Sequence, residues 1–350
     1  MATSNPDDPT RLDPLAKAEA STQLPPAKPV VIPNPESLRI AGYQVLGVLG
    51  RGGMGVVYKA RQIKLNRLVA LKMILSGHHA DSAELERFRG EAESIGCMQH
   101  PNIVQVYEVD EADGRPFFSM EYCAGGSLAS RLDGTPWPAK NAAGLLVSLS
   151  RAIDAAHNAN IVHRDLKPAN ILLIPPRRSG SSSGELTLAE LAELKKTPFE
   201  CGTPKITDFG VAKRLGTGEA KTVLGCVVGT PSYMAPEQAG GQGKDVGPPA
   251  DVYALGAILY ELLTGRPPFK GATPLDTVMQ VIAEEPIPPR RLQKRVPRDI
   301  ETICLKCLHK QQRKRYATAA ALADDLQRFV NDEPVLARPT PFWERGLKLA

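Results

Sequence analysis

From Tyr43 the chain runs in short apolar stretches whose period is two: "YQVLGVLG", "GVVYKARQ" and "RLVALKMIL" predict three β-strands. A helix is predicted from Asp81 to about Met98, with Asp81 or Ser82 as its N-cap. "IVQVYEVDEADGRPFFSMEY" then predicts a hairpin that turns at Asp113-Gly114. These elements form a small, mostly β lobe with one helix that ends near Met120 to Cys123. After Gly126 the period changes to three and four. "PAKNAAGLLVSLSRAIDAAHNAN" predicts an amphipathic helix, and Asn160 suits a left-handed stop. "ADVYALGAILYELLTG" is apolar nearly all round, which predicts a buried helix of a larger α lobe. Residues 1 to about 39 show little periodicity and hold eight prolines, so they read as a flexible leader.

Composition agrees with two cores in one chain: 350 residues, 42% apolar and 23% charged. No stretch approaches the roughly 20 apolar residues of a membrane helix, and the N-terminus lacks the basic and apolar regions of a secretory signal. The six cysteines are scattered and read as reduced thiols of a cytosolic protein. "CLKC" at 304–307 lacks a second pair nearby and sits in a helix-like segment, so it reads as buried core rather than half of a zinc site. The net charge is +5, and residues 290–350 carry 14 Lys/Arg against 7 Asp/Glu. No aromatic residues interleave with these basic ones as base stacking requires, so the patch reads as a solvated surface and nucleic acid is not an expected partner.

The candidate chemistry begins in "LGRGGMGVVYKA", where Gly50, Gly52 and Gly55 have G-x-G-x-x-G spacing. Dinucleotide-binding folds use the same letters, which leaves a nicotinamide-dependent oxidoreductase as one reading. There the glycines lead from a strand into a helix, whereas here they lead into the β-branched run "VVYKA". A glycine flap between two strands can lay bare N–H groups over a triphosphate. "VALK" then supplies Lys72, a strand cation able to pair with phosphate oxygens. Such an ammonium needs a fixed carboxylate. Among Glu84, Glu86, Glu91 and Glu93, Glu91 borders the stripe Phe88, Ala92 and Ile95 and is the expected partner.

Read in order, "GRGGMG", "VALK", "HRDLKPAN", "DFG", "GTPSYMAPE" and "DVYALG" resemble the eukaryotic-type (Hanks-type) serine/threonine protein kinases, most of all the bacterial members. The resemblance covers about residues 43–330. It implies an α+β, bilobal protein kinase fold, with a small β-rich N-lobe carrying one helix and a larger, mostly α-helical C-lobe. The N-lobe would span 40–120, the hinge 121–126 and the C-lobe 127–330, with a basic extension at 331–350. By position it implies Asp165 as the base that orients and deprotonates a Ser/Thr hydroxyl, and Lys167 as the cation that stabilises the transferring phosphoryl group. Asn170 and Asp208 would hold Mg2+, with Mn2+ an alternative. ATP would be bound by Leu49, Gly50, Gly52, Gly53, Gly55, Val57, Ala70, Lys72, Glu91, Met120, Glu121, Cys123 and Leu172. Met120 would be the gatekeeper, the main chain of Glu121 and Cys123 would meet adenine, and Ala70 and Leu172 would sandwich the ring. Ser127 is placed near the ribose.

Other positions would serve the frame: His163, Phe209, Ile95 and Val106 as packed internal residues, Asp251 as anchor of the catalytic-loop backbone, and Glu237 with Arg315 as a buried ion pair, Arg313 being its rival. Thr230 would lie near Asp165 and Lys167. Of Thr217 and Thr222, Thr222 is the expected phosphorylation site, where a phosphate would neutralise Arg164. A pseudokinase scaffold shares the fold, but Lys72, Asp165, Asn170 and Asp208 are all present. The resemblance implies protein substrates and a cytoplasmic location. "NDEPVLARPTPFWERGLKLA" resembles the segment that leads bacterial kinases towards a membrane helix, so the domain could be the cytoplasmic part of an anchored protein.

One stretch departs from the family. Between "NILL" and "KITDFG" a tight hairpin is expected, yet about residues 175–204 intervene. "PPRRSGSSSG" reads as disordered, whereas "ELTLAELAELKK" sets Leu188, Leu191, Ala192 and Leu194 on one helical face suited to docking on the kinase or on a regulatory partner, the alternative being a neutral spacer. The expected result is an insertion at the tip of a preserved hairpin.

Overall fold

In the computed structural model, residues 38–52, 55–74, 96, 98–112, 114–175, 202–209, 231–241 and 246–337 are described. Five strands form one antiparallel sheet: β1 (Tyr43–Gly52), β2 (Gly55–Gln62), β3 (Arg67–Ile74), β4 (Val106–Ala112) and β5 (Arg115–Glu121). Their order is β1-β2-β3-β5-β4. The period of two works as the sequence implies on β2, where Val56, Tyr58 and Ala60 are buried on one face while Val57, Lys59 and Arg61 take the other. Register then stacks the second face: Val57 pairs with Lys72 and Lys59 with Ala70, and across β3 Ala70 pairs with Met120 and Lys72 with Phe118. The glycine run closes a strand–turn–strand unit, with Gly52 opposite Gly55, which removes the helix a dinucleotide-binding turn would need. The predicted hairpin turns at Gly114, whose φ is 71°. Of the predicted helix at 81–98, only Gly96 is described as helical, Met98 is not, and the rest lies outside the described residues.

The second lobe is helical. Its α-helices among the described residues are α1 (Ala139–Asn158), α2 (Pro236–Ala239), α3 (Pro248–Thr264), α4 (Pro274–Ala283), α5 (Pro289–Leu292), α6 (Arg298–Cys307) and α7 (Ala319–Val330). α1 stops where expected, with Asn160 at φ 60°. α3 is the core helix: Leu255, Ile258, Tyr260 and Leu262 are all fully buried. α6 packs so closely on α3 that a Cβ added at Gly256 would lie 2.3 Å from Cys307 Cβ, so only glycine fits. Cys304 and Cys307 are fully buried in this contact, and burial pushes both thiols above their usual range. "CLKC" is core. Beyond α7 the chain stays attached: the buried Asp325 carboxylate accepts the N–H groups of Leu336 and Ala337 and the Tyr316 hydroxyl. No helix among the described residues is long and apolar enough to cross a membrane.

A two-stranded sheet, β6 (Ile171–Ile174) with β7 (Thr203–Ile206), lies between the lobes. Its register runs Ile171–Ile206, Leu172–Lys205, Leu173–Pro204 and Ile174–Thr203. Thr203 and Pro204 therefore belong to β7 and not to the insertion, because the ladder continues two rungs past the expected end. Gly202, at φ 71°, closes the ladder; a Cβ there would sit 2.0 Å from Ile174 O. Residues 176–201, which include the expected amphipathic helix, lie outside the described residues.

Candidate active site

The loop 163–170 is hung from α3. Asp251, 1% exposed, accepts the N–H of His163 at 2.8 Å and of Arg164 at 2.9 Å. His157 at the end of α1 meets the same carboxylate at 2.8 Å. The His163 ring is fully buried, with its centroid 4.7 Å from that of Phe209, so both pack as expected. Its Nε2 faces Thr207 O at 3.0 Å, and its Nδ1 faces the N–H of Asp165 at 3.3 Å. The first partner needs a donor and the second an acceptor, so the ring is neutral with its proton on Nε2. Burial lowers its pKa in the same sense.

This frame presents Asp165. Lys167 Nζ lies 2.8 Å from Asp165 Oδ2. Asn170 donates through Nδ2 to Asp165 O at 2.8 Å and to Asp165 Oδ2 at 3.3 Å. The Asn170 amide nitrogen is thus committed, and its carbonyl oxygen is the end left to ligate a cation. Asp208 follows β7 with φ 58°, a left-handed conformation that turns its side chain out of the strand direction. Its Oδ1 lies 2.5 Å from Lys72 Nζ. Lys72 thus reaches across the lobes to Asp208; the expected partner Glu91 lies outside the described residues. Carboxylate and amide oxygens of this kind suit a hard divalent cation.

Above Asp208 the cleft is apolar. Ala70, Met120 and Cys123 are buried in one cluster with Val104 and Phe118, and Val57, Val106, Leu172 and Ile174 pack against it. Burial pushes the Cys123 thiol up to about 12, so it is a packing group and not a nucleophile. Gly52 and Gly55 pair at the end of the β1–β2 ladder, and Gly50 lies within β1 opposite Val57. Leu49 on β1 is 45% exposed and stands outside this cluster. Ser127 bridges to Leu172, and its carbonyl accepts the Ser130 hydroxyl. Gly53, Thr217, Thr222, Thr230 and Ile95 lie outside the described residues.

Two groups escaped the sequence reading. Lys205 on β7 forms an ion pair with Glu121 at 2.7 Å and approaches Ile103 O at 3.4 Å. It ties the strand before Asp208 to the end of β5. A lysine inside the apolar run "PKITDFG" was the available signal. His157 carried none, since its partner is 94 residues away. The Glu237–Arg315 pair forms, and Arg313 is exposed. Arg315 directs Nη1 and Nη2 to the two Glu237 oxygens at 2.7 and 2.8 Å. Its remaining donors go to the carbonyls of His309, Pro249 and Lys310, so every guanidinium N–H is used. A cleft beside Asp165 and Lys167 is walled by Tyr233, Met234 and Gln238.

Comparison with known proteins places this geometry. The protein kinase domain family matches residues 43–326. Serine/threonine-protein kinase PknB of Mycobacterium leprae is 35% identical over 298 residues, 83% of this chain and 43% of that protein. Serine/threonine-protein kinase Pkn1 of Myxococcus xanthus is 37% identical over 294 residues, 83% of this chain and 38% of its own length. The chain therefore spans less than half the length of these relatives. Among solved structures, the Mycobacterium tuberculosis PknI kinase domain superposes with a TM-score of 0.60 at 24% identity, covering 83% of this chain and 97% of that one.

Proposed function

The chain belongs to the protein kinase family, and on that premise we propose that it transfers the γ-phosphoryl group of ATP to serine or threonine hydroxyls of proteins. The observation that carries this reading is the convergence of Lys72, Asp165, Lys167, Asn170 and Asp208 at one cleft from three separate stretches of sequence, on β3, in the loop 163–170 and after β7. Lys72–Asp208 at 2.5 Å and Lys167–Asp165 at 2.8 Å close its two sides.

In this reading adenine enters the apolar slot of Val57, Ala70, Met120, Cys123 and Leu172, with Glu121 and Cys123 offering main-chain groups. Gly50, Gly52, Gly53 and Gly55 cover the phosphates, with Leu49 at the lip. Lys72 pairs with phosphate oxygens, held by Asp208 and Glu91. Asn170 and Asp208 would hold magnesium, or manganese in its place; the bound cation supplies charge neutralisation at the phosphates. Asp165 orients the substrate hydroxyl and takes its proton as the oxygen bonds to the γ-phosphorus and the bond to the ADP oxygen breaks. Lys167 Nζ faces the charge that develops on the transferred group. The wording "HRDLKPAN" and "GTPSYMAPE", which carries the serine/threonine resemblance, supports this substrate class, and Thr222 is the proposed site of activating autophosphorylation.

The proposed catalytic unit runs from about residue 40 to Ala337, since Asp325 pins the chain there. We place it in the cytoplasm, where the free thiols buried among the described residues, Cys123, Cys304 and Cys307, suit a reducing compartment. The test is transfer of radiolabel from ATP, with magnesium, to the chain itself and to a generic protein substrate, beside Asp208→Asn. Label in the wild type and none in the variant supports the proposal; no label in the wild type overturns it.

A further inference from the structure

We propose that Gln238 is a positioning residue for the transfer, gripping the peptide that leads into Asp165. The proposal rests on the kinase reading above and concerns Arg164, whose φ of 63° is left-handed. A residue with a Cβ holds that conformation only when its surroundings over-determine it. The amide on one side of the Arg164 Cα is held by Asp251 Oδ1 at 2.9 Å. The carbonyl on the other side accepts a hydrogen bond from Gln238 Nε2 at 2.8 Å. That carbonyl belongs to the same peptide group as the Asp165 N–H, which His163 Nδ1 holds at 3.3 Å. Rotating this peptide would swing the Asp165 side chain, so Gln238 acts one peptide plane from the base.

The orientation of the Gln238 amide follows from its other end. Its Oε1 accepts the N–H of Ala235 at 3.1 Å, which leaves Nε2 as the end that faces Arg164. Gln238 therefore does two jobs that a carboxylate cannot combine: it accepts from its own turn and donates to the catalytic loop. It also belongs to the segment that walls the cleft through Tyr233 and Met234. The segment that walls the cleft beside Asp165 and the peptide that leads into Asp165 are joined through this side chain. A shift of residues 231–239 would be transmitted to Asp165 along a hydrogen bond 74 residues long in sequence.

The experiment compares the full chain with Gln238→Glu and Gln238→Met, both close to glutamine in size. Glutamate keeps the acceptor for Ala235 and loses the donor; methionine loses both. If Gln238 merely capped its short helix, Gln238→Glu would behave as wild type and only Gln238→Met would suffer. The positioning role predicts that both lower kcat by about tenfold to a hundredfold, with KM for ATP within about twofold, because the proposed nucleotide contacts lie elsewhere. A second measurement needs no activity: amide hydrogen exchange over residues 162–168 should quicken in both variants. Wild-type exchange and a kcat within about twofold in Gln238→Glu would overturn the proposal. A wild type that transfers no phosphate would instead overturn the kinase reading, while the exchange comparison would still decide whether Gln238 holds the loop.

Discussion

Asp165 meets a lysine at 2.8 Å and an asparagine amide at 3.3 Å on the same oxygen. Both contacts fix the orientation of the carboxylate that is proposed to receive the hydroxyl proton. Asp165→Asn keeps the shape and loses the basicity. Its kcat should fall by about 10²- to 10⁴-fold while ATP binding and melting temperature hold, which steady-state kinetics and calorimetry will check. Cysteine chemistry gives a residue-level expectation of opposite kind. Cys123 is raised to about 12 by burial, and Cys304 and Cys307 are raised by burial as well. A raised pKa keeps the thiol protonated as pH climbs, so at pH 8 the reactive thiolate is scarce at all three. Iodoacetamide at pH 8 should spare them in the native protein and label them after denaturation, read by peptide mass spectrometry. Rapid native labelling of Cys304 would show that the α3–α6 contact opens.

The strands carry information at the scale of elements, and here the sequence was legible only in part. β2 alternates cleanly, but β3 buries Val69, Ala70 and Leu71 in a row, so Ala70 was placed by the resemblance and its face is fixed by register with β2. β1 is legible as a strand but not in its burial. Its register slips between Val45 and Gly47 and again between Val48 and Gly50. Exposure alternates from Gln44 through Leu46 to Val48 and breaks at Leu49, within the second irregularity, so three apolar side chains of the run are exposed. Lys205 stood out in "PKITDFG" as a charge, but its role was not legible, because it depends on Glu121, a partner brought near only when β7 and β5 meet the loop at 102–104. That loop is stitched to β7 by Val104 N to Ile206 O and Ile206 N to Asn102 O. The Lys205–Glu121 pair thus holds the end of β5, whose main chain is proposed to meet adenine, against the strand that delivers Asp208. With side chains 11% and 22% exposed, the pair is partly desolvated, and removal of one partner leaves the other charge uncompensated. Lys205→Met should raise KM for ATP several-fold with a smaller change in kcat, and Glu121→Gln in the same chain should recover part of the loss. A Lys205→Met enzyme with unchanged nucleotide affinity would show the pair to be ornamental to the cleft.

At the scale of the molecule, the same β6–β7 unit explains how a kinase can carry the stretch that separates its two aspartates. The flanking motifs predicted a preserved hairpin, and the ladder from Ile171–Ile206 to Ile174–Thr203 is complete. Both strands are held independently of the segment between them. β6 is bound to the hinge by Gly125 N to Leu173 O and Leu173 N to Gly126 O, and β7 to the loop at 102–104. Closing a longer loop costs only about 0.6 kcal/mol per doubling, small beside these anchors. Replacement of residues 176–201 by a short Gly-Ser turn should therefore leave the protein folded, with its melting temperature unchanged or slightly raised and ATP still bound. Retaining Gly202 matters, because its left-handed φ and its close approach to Ile174 O close the ladder. The excised chain should keep phosphotransfer in the radiolabel assay, and any change should fall on regulation or partner choice. A Gly202→Val substitution in the intact chain should be the more damaging of the two, since it strains the ladder itself. Should the shortened chain fail to fold in circular dichroism and melting experiments, the segment would have to be counted as part of the core and the hairpin anchors judged insufficient.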